Sequence, residues 1–204
     1  VQCGDGACTG EETAASCPRD CACAPVPPSG RIVDDSEKLC FARTGTPSYW
    51  QPLTEGYGDS SFMTTATDDD APDNVGTWKF SFQEAGDYRV EAFIGAGLAG
   101  TQAASYQIGA TPPASAALDQ SSSSASTDLG SYRFEAGATT ITLADNTGEP
   151  VSQGRAIVFD AIRLTRLDAP STSSSSGTGG AGAGSGGGGP AGAGGGSVDG
   201  DDPP

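Results

Sequence analysis

The sequence predicts an all-β fold, an antiparallel two-sheet β-sandwich of the jelly-roll kind, over residues 30–167. Apolar and polar residues alternate strictly in residues 77–82, and Tyr88, Val90, Ala92 and Ile94 continue on one parity. Short alternating runs that are separated by Gly, Pro, Asn and Asp are typical of antiparallel strands. No window keeps helical spacing over three turns, and the roughly eight predicted strands suit a single sandwich.

A small disulfide-rich cap is predicted for residues 1–29. The six cysteines of the chain are Cys3, Cys8, Cys17, Cys21, Cys23 and Cys40. The chain has no histidine, so a zinc site would need cysteines alone, and the spacing lacks the two close pairs of a zinc ribbon. An even count in a short, loop-rich segment favours disulfides in an oxidising compartment. Among about 15 pairings, one would join Cys23 to Cys40 and tie the cap to the sandwich.

The predicted strands follow the cap in chain order, and their apolar faces indicate the core. Trp78 shares parity with Phe80 and Phe82, so we expect it to be buried. The sequence Glu-Ala-Gly comes soon after Phe82 and directly after Phe134. Because glycine readily adopts a positive φ, this repeat predicts two hairpin turns.

The final segment, residues 168–204, predicts a disordered linker or stalk. It consists almost entirely of Gly, Ser, Ala and Pro, and Val198 is its only large apolar residue. Such a segment buries too little apolar surface to offset its ordering entropy. The sequence also lacks an apolar run of about 18 residues, so no membrane span is predicted. The chain begins at Val1 rather than Met, which indicates a mature or excised fragment.

The net charge of −16 excludes the usual mode of nucleic-acid binding. Lys and Arg number 10 against 26 Asp and Glu, so the protein repels a phosphate backbone. The acidic residues are spread over the chain instead of forming one acidic tail. They leave many oxygen atoms available to hard cations such as Ca²⁺.

Two acid-rich stretches are candidate sites for Ca²⁺, the one cofactor that the sequence suggests. Asp68, Asp69, Asp70 and Asp73 form a dense acidic loop, in which like charges repel unless water or a cation screens them. In the cap, Asp5, Glu12 and Asp20 lie among the cysteines. Solvated turn acids are the alternative for both stretches. Asp145 and Asn146 with Glu149 are a further, weaker cation candidate, although as a turn this stretch needs no metal.

Exposed aromatic residues are the candidate ligand-binding groups. Sugar rings stack on Trp or Tyr, while nearby polar side chains bind the hydroxyls. Tyr49, Trp50 and Tyr57 lie in a Gly- and Pro-rich region outside the alternating strands. For Trp50, packing beneath a long loop is the alternative to binding.

No catalytic constellation is recognisable in the sequence. Without histidine, Ser-His-Asp and Cys-His arrangements are impossible. Acidic residues are plentiful, but nothing marks one pair for glycoside hydrolysis. We therefore expect no catalytic residue in this chain.

Two resemblances refine this interpretation. The pattern C-G-D-G-x-C-x3-E-x4-C-P-x-D-C, which ends at Cys21, resembles a cysteine motif of secreted proteins of myxobacteria and their relatives. The body of the chain resembles the golvesin C-terminal-like domain, also described as the carbohydrate-binding-like module of xanthan lyase. The stretches that carry this resemblance are residues 31–35, 49–50, 56–58, 78–80, 85–90, 118–120, 129–134, 136–137, 145–149 and 159–164.

The golvesin resemblance implies a β-sandwich appended to extracellular hydrolases, including cell-wall amidases, and to surface proteins. Family members often carry paired tryptophans after the Tyr-x-Val strand, where this chain has Phe93 and Ile94. If those tryptophans form a sugar platform elsewhere, the resemblance implies a weaker one here.

Together, these observations predict a secreted or cell-surface, non-catalytic accessory module. Its expected role is to bind polysaccharide or peptidoglycan and to tether an extracellular protein. One alternative is the C-terminal part of a cell-wall hydrolase, such as an N-acetylmuramoyl-L-alanine amidase, with its catalytic domain elsewhere. Another is a structural or adhesive surface protein without a glycan ligand.

Overall fold

The computed structural model describes residues 16–17, 22–123 and 125–167, and it confirms the all-β, sandwich-like fold. Within these ranges the chain forms strands and short 3-10 turns but no α-helix, and none of the described helices is long or apolar enough to cross a membrane. The strands are β1 (Arg31–Val33), β2 (Phe41–Gly45), β3 (Gln51–Leu53), β4 (Ser61–Thr65), β5 (Asn74–Phe82), β6 (Gly86–Ile94), β7 (Ala104–Ile108), β8 (Ala114–Leu118), β9 (Ala125–Phe134), β10 (Gly137–Ala144), β11 (Ala156–Phe159) and β12 (Ile162–Arg166).

Two larger antiparallel sheets and one small sheet make up the domain. The first sheet has five strands in the order β2-β5-β10-β7-β8, and the second has four in the order β1-β12-β6-β9. The third sheet, β11-β4-β3, adds to the two sheets predicted from the sequence. Its β11 is almost wholly buried, which explains why residues 156–159 show no alternation.

The core lies between the two larger sheets and follows the predicted parity. Trp78, Phe80 and Phe82 of β5 are all buried, which confirms the core assignment of Trp78. From the other sheet, Tyr88 packs against Phe82 with ring centroids 4.9 Å apart. Every second side chain of β5 and β6 therefore contributes to one shared core.

The prediction of two Glu-Ala-Gly hairpins is wrong. Both turns lead from one larger sheet to the other, since β5 and β10 belong to the first sheet and β6 and β9 to the second. The two crossings meet, because Gly137 pairs with Phe82 and Gly86 pairs with Phe134. The Phe82 and Phe134 rings stack at 4.8 Å with planes 14° apart. Burial of these two rings between the sheets outweighs the local preference for a hairpin.

The segment before β1 is attached to the sandwich. Cys23 and Cys40 form a disulfide, as the sequence indicated, and Cys17 is disulfide-bonded as well. Val26 is buried and its N–H donates to Ser81 O of β5 at 2.7 Å. The predicted disulfide cysteines Cys3, Cys8 and Cys21, most of the predicted cap and the tail of residues 168–204 lie outside the described residues.

Candidate functional site

A cavity of about 630 Å³ opens where the loop between β3 and β4 meets the end of β6. Glu55 and Tyr57 line it from that loop, Phe93 lines it from β6, and Asp160 lies at its base between β11 and β12. We call this cavity, defined by Glu55, Tyr57, Phe93 and Asp160, the Tyr57 cleft. It combines aromatic rings with carboxylates, which is the composition expected of a sugar-binding surface.

Aromatic packing gives the Tyr57 cleft a supported ring surface. The Tyr57 and Phe93 ring centroids are 4.8 Å apart, with planes inclined by 53°. The Arg163 guanidinium carbon lies 4.6 Å from the Phe93 centroid. Phe93 is thus partly covered by its neighbours, whereas Tyr57 remains 38 % exposed. The phenol ring of Tyr57 is therefore the aromatic group that a ligand can reach.

Backbone contacts position Tyr57 independently of its ring. Its N–H donates to Asp160 Oδ1 at 2.9 Å and lies 3.2 Å from Asp160 Oδ2. The preceding Gly56 has φ +125°, a conformation that L side chains rarely adopt. A Cβ atom on Gly56 would lie 2.8 Å from Asp160 Oδ2. Glycine at this position lets the loop approach Asp160 closely enough to form the hydrogen bond.

Three buried carboxylates meet beneath the Tyr57 cleft. Asp34 and Asp35 follow β1 directly, and Asp160 connects β11 with β12. One carboxylate oxygen of each lies within 4.8 Å of the others. The residues are only 6 %, 6 % and 2 % exposed, respectively. We call Asp34, Asp35 and Asp160 the carboxylate triad; among the described residues, it is the one group of acids or cysteines that converges in this way.

Burial and mutual repulsion make the triad costly to ionise. Burial raises the pKa of Asp160 to about 7, and the negative charges of Asp35 and Asp34 act in the same direction. Burial also raises the pKa of Asp35 to about 6, with a further contribution from the charge of Asp34. Within residues 22–123 and 125–167, no lysine or arginine forms an ion pair with the triad. A proton or a cation would relieve this repulsion.

Of the aromatic residues predicted to bind a ligand, the structure places Tyr57 alone in the cleft. Tyr49 is 50 % exposed but does not line it. Trp50 is partly buried, with its ring centroid 4.7 Å from that of Phe159, and its Nε1 donates to Thr44 O at 3.3 Å. It lines a separate cavity of about 180 Å³ together with Arg43. The three predicted aromatic residues therefore do not form one site.

The predicted acidic loop does not gather its carboxylates. Asp68, Asp69, Asp70 and Asp73 are all exposed, and none belongs to the carboxylate triad. Asp69 Oδ2 accepts a hydrogen bond from Thr67 Oγ1 at 2.9 Å, which is an ordinary turn contact. The cap acids Asp5, Glu12 and Asp20 lie outside the described residues.

The sequence interpretation missed the triad, and it singled out Phe93 only as a weakened counterpart of the tryptophans found in relatives. The sequence feature that could have indicated the triad is Asp160, the one charged residue in the apolar run of residues 156–162. A charge within a buried strand run calls for a partner or a cation. Its neighbours in space, Asp34 and Asp35, precede it by more than 120 residues in the chain. Nothing in the local pattern connects positions so far apart.

Comparison with known proteins gives a family match over most of the described residues. Residues 31–166 match the model of the Golvesin C-terminal domain, a non-catalytic, module-type domain. No curated protein matches the chain. The matched segment contains the Tyr57 cleft and the whole carboxylate triad.

Comparison with solved structures gives matches to parts of longer chains. A xanthan lyase from Paenibacillus matches with a TM-score of 0.56 and 20 % identity, over 68 % of this chain and 13 % of that chain. A GH26-CBM35 β-(1,4)-mannanase from Podospora anserina matches with a TM-score of 0.45 and 15 % identity, over 69 % and 28 %. A ruminal GH26 endo-β-1,4-mannanase gives 0.41 and 15 %, over 72 % and 28 %.

The chain thus spans a small part of the length of each of these enzymes, and the likeness to xanthan lyase is one of fold. The family match is more specific, because it covers both larger sheets from β1 to β12. The sheet topology and the buried aromatic core describe one domain, and the family match covers that same domain. On these grounds, the chain belongs to the Golvesin C-terminal domain family.

Proposed function

We propose that this chain is a secreted, non-catalytic accessory module that binds polysaccharide or cell wall through the Tyr57 cleft and tethers an extracellular protein there. The observation that carries the proposal is the exposed Tyr57 ring, supported by Phe93 and placed beside Glu55 in a cavity of about 630 Å³. A sugar ring covers a face of this kind with its C–H groups. The exposed Glu55 carboxylate can accept hydrogen bonds from the sugar hydroxyls.

Charge favours neutral glycans over anionic ones. The charged residues that line the Tyr57 cleft are acids, and the whole chain carries a net charge of −16. Anionic polymers are repelled by such a surface, most strongly at low ionic strength. A neutral, polyhydroxylated chain avoids this repulsion and supplies donors to the carboxylate acceptors. We therefore expect binding to neutral polysaccharide to exceed binding to an anionic one such as xanthan.

The accessory role is supported by the context in which the fold occurs. In xanthan lyase the similar region amounts to 13 % of the enzyme, so this fold occurs there as one part of a much longer protein. The Cys23–Cys40 disulfide is consistent with an oxidising, extracellular location. Attachment to a cell-wall hydrolase such as an amidase, or to an adhesive surface protein, is compatible with the same binding site.

The test is retention of the purified chain on insoluble peptidoglycan and on neutral and anionic polysaccharides. Tyr57→Ala removes the exposed ring but keeps the backbone N–H that binds Asp160. Tyr49→Ala is the matched control, because Tyr49 is similarly exposed but lies outside the cleft. Loss of one stacking contact is expected to weaken binding about tenfold.

The expected result is retention of the wild-type chain and of Tyr49→Ala on at least one neutral glycan, with weak retention of Tyr57→Ala. Circular dichroism of the three proteins checks that the fold is unchanged. Failure of the wild-type chain to bind any glycan would reject the proposal and favour a structural or adhesive role. Equal retention of both variants would place the binding surface elsewhere.

A further inference from the structure

The carboxylate triad brings together three acidic side chains for which the described residues supply no positive partner. Asp34, Asp35 and Asp160 each place an oxygen within 4.8 Å of the other two, and all three are buried. No described lysine or arginine forms an ion pair with them. Burying like charges without a counter-charge is costly even after the protein relaxes. Such an arrangement is stable when something positively charged occupies the centre.

The hydrogen bonds around the triad leave one oxygen unsatisfied. Asp34 Oδ2 accepts from Ser36, and Asp35 Oδ1 accepts from Ser60 Oγ at 3.0 Å. Asp160 accepts from the Tyr57 N–H at 2.9 Å. Asp34 Oδ1, by contrast, is buried and has no hydrogen-bond partner within the part of the chain that the structure describes.

This unsatisfied oxygen is an observation separate from the clustering of charge. A buried carboxylate oxygen without a donor is rare in proteins, because it loses its hydration and gains nothing in return. The donors of Ser36, Ser60 and Tyr57 bond to other oxygens of the triad. The lone pairs of Asp34 Oδ1 therefore remain available for a ligand that accepts electron pairs, and a metal ion held by three carboxylates is such a ligand.

We propose that Asp34, Asp35 and Asp160 bind one Ca²⁺ ion. Carboxylate oxygens are hard ligands, and the triad contains no nitrogen or sulfur ligand of the kind that Zn²⁺ favours. Mg²⁺ demands near-ideal octahedral geometry and keeps most of its water, which suits a buried and irregular group of oxygens poorly. Ca²⁺ accepts variable coordination and would reduce the local charge from three negative units to one.

The ion would connect three segments that are distant in sequence. These are the turn after β1, the connection between β11 and β12, and the loop that carries Tyr57. Gly58 of that loop lies against the site, since a Cβ atom there would be 3.4 Å from Asp34 Oδ2. The calcium site would thus stabilise the floor of the Tyr57 cleft. The inference does not depend on glycan binding, because ion binding is measured without any glycan.

The test is titration of the full chain, stripped with EDTA and dialysed, with CaCl2 in a calorimeter, together with its melting temperature. Asp34→Asn keeps the size of the side chain and an acceptor for Ser36 but removes the charge. Asp68→Asn is the matched control, because Asp68 is an exposed acid outside the triad. Saturation at about 100 times Kd is expected to raise the Tm by about 5–10 °C.

The expected result is one Ca²⁺ per chain for the wild type and for Asp68→Asn, with at least tenfold weaker binding by Asp34→Asn. Asp35→Asn is a second triad variant in case Asp34→Asn does not fold. Absence of calcium uptake by the wild-type chain at millimolar CaCl2 would overturn the proposal. Undiminished binding by the folded triad variants, or equally tight binding of Mg²⁺, would overturn it as well.

Discussion

At the scale of single residues, buried polar side chains hold the loops and strands in place. Gln120 is 1 % exposed and joins three groups of two other segments. Its Nε2 donates to the Tyr106 hydroxyl and to Val158 O, both at 3.0 Å, and its Oε1 accepts from Val158 N at 2.9 Å. Each of these groups would otherwise be buried without a partner. This side chain therefore replaces backbone pairing between β11 and the turn after β8.

Glu149 has a similar role nearer the surface. Its carboxylate accepts from Thr101 Oγ1, from the Gln102 N–H at 3.0 Å and from Thr147 Oγ1 at 3.0 Å, and it pairs with Arg155 at 3.0 Å. Burial alone would raise the pKa of Glu149, but these donors and the Arg155 charge outweigh it and lower the pKa below its usual value. The folded state therefore stabilises the ionised form of Glu149.

Replacing Glu149 by Gln is expected to reduce the free energy of unfolding by about 1–2 kcal/mol at pH 7. Because the folded-state pKa lies below the unfolded one, Glu149 contributes fully above the unfolded value near 4.5 and loses its contribution as the pH falls through the folded value. Urea denaturation of both proteins between pH 3 and pH 7 measures this dependence.

The control is Glu135→Gln, which removes an exposed carboxylate paired with Arg133 on the surface. Exposed ion pairs contribute little, so we expect a change below about 0.5 kcal/mol at every pH. A difference between wild type and Glu149→Gln that grows as the pH falls would contradict the assignment.

At the scale of elements, the loop between β3 and β4 shows how backbone geometry builds the cleft. Gly56 needs φ +125°, and a Cβ atom there would meet Ser60 O at 2.5 Å and Asp160 Oδ2 at 2.8 Å. Both obstacles must move before another residue fits. The loop that presents Tyr57 is therefore coupled to the connection between β11 and β12.

Substituting Gly56 by Ala is expected to destabilise the fold by about 2–4 kcal/mol, from the backbone strain and the two close contacts together. Gly97→Ala is the control, because Gly97 has φ +75° and nothing lies within 4 Å of its Cβ position. That variant should lose about 1 kcal/mol, from the conformation alone. Thermal unfolding of the two variants makes the comparison, and equal losses would show that the close contacts at Gly56 have no effect.

The elements also show what the sequence could and could not predict. The period-two pattern identified the core faces of β5 and β6, because one side of each strand is buried and the other is not. The Glu-Ala-Gly turns were misassigned, since a turn sequence does not reveal whether the next strand pairs in the same sheet. Whether the next strand joins the same sheet depends here on the contact between Phe82 and Phe134, which are 52 residues apart in the chain. The carboxylate triad required the same kind of long-range information.

At the scale of the whole molecule, a disulfide and a backbone bridge attach the segment before β1 to the sandwich. Cys23 and Cys40 are 17 residues apart, and Val26 bonds to β5 between them. A crosslink of this span restricts the unfolded chain more than the folded one. Its position beside Phe41 and Trp78, which pair across β2 and β5, places it at one edge of the core.

The double variant Cys23→Ser/Cys40→Ser is expected to lose about 2–4 kcal/mol of stability while keeping its β-rich circular-dichroism spectrum. Chemical denaturation without reductant measures this loss, because the other cysteines then remain as they are. The wild-type chain should also resist alkylation at Cys23 and Cys40 until reductant is added, as peptide mass mapping can show. Alkylation of both residues without reductant would contradict the disulfide.

The proposed function makes its central claim at this scale: a sandwich that acts by contact, with the Tyr57 cleft as its binding surface. The most direct measurement is an NMR titration of the ¹⁵N-labelled chain with the glycan that retains it best. We expect the shifted backbone amides to cluster at residues 55–58 and 93–96, which line the cleft. Shifts concentrated instead around Tyr49 and Trp50, or spread evenly over the sandwich, would contradict the account.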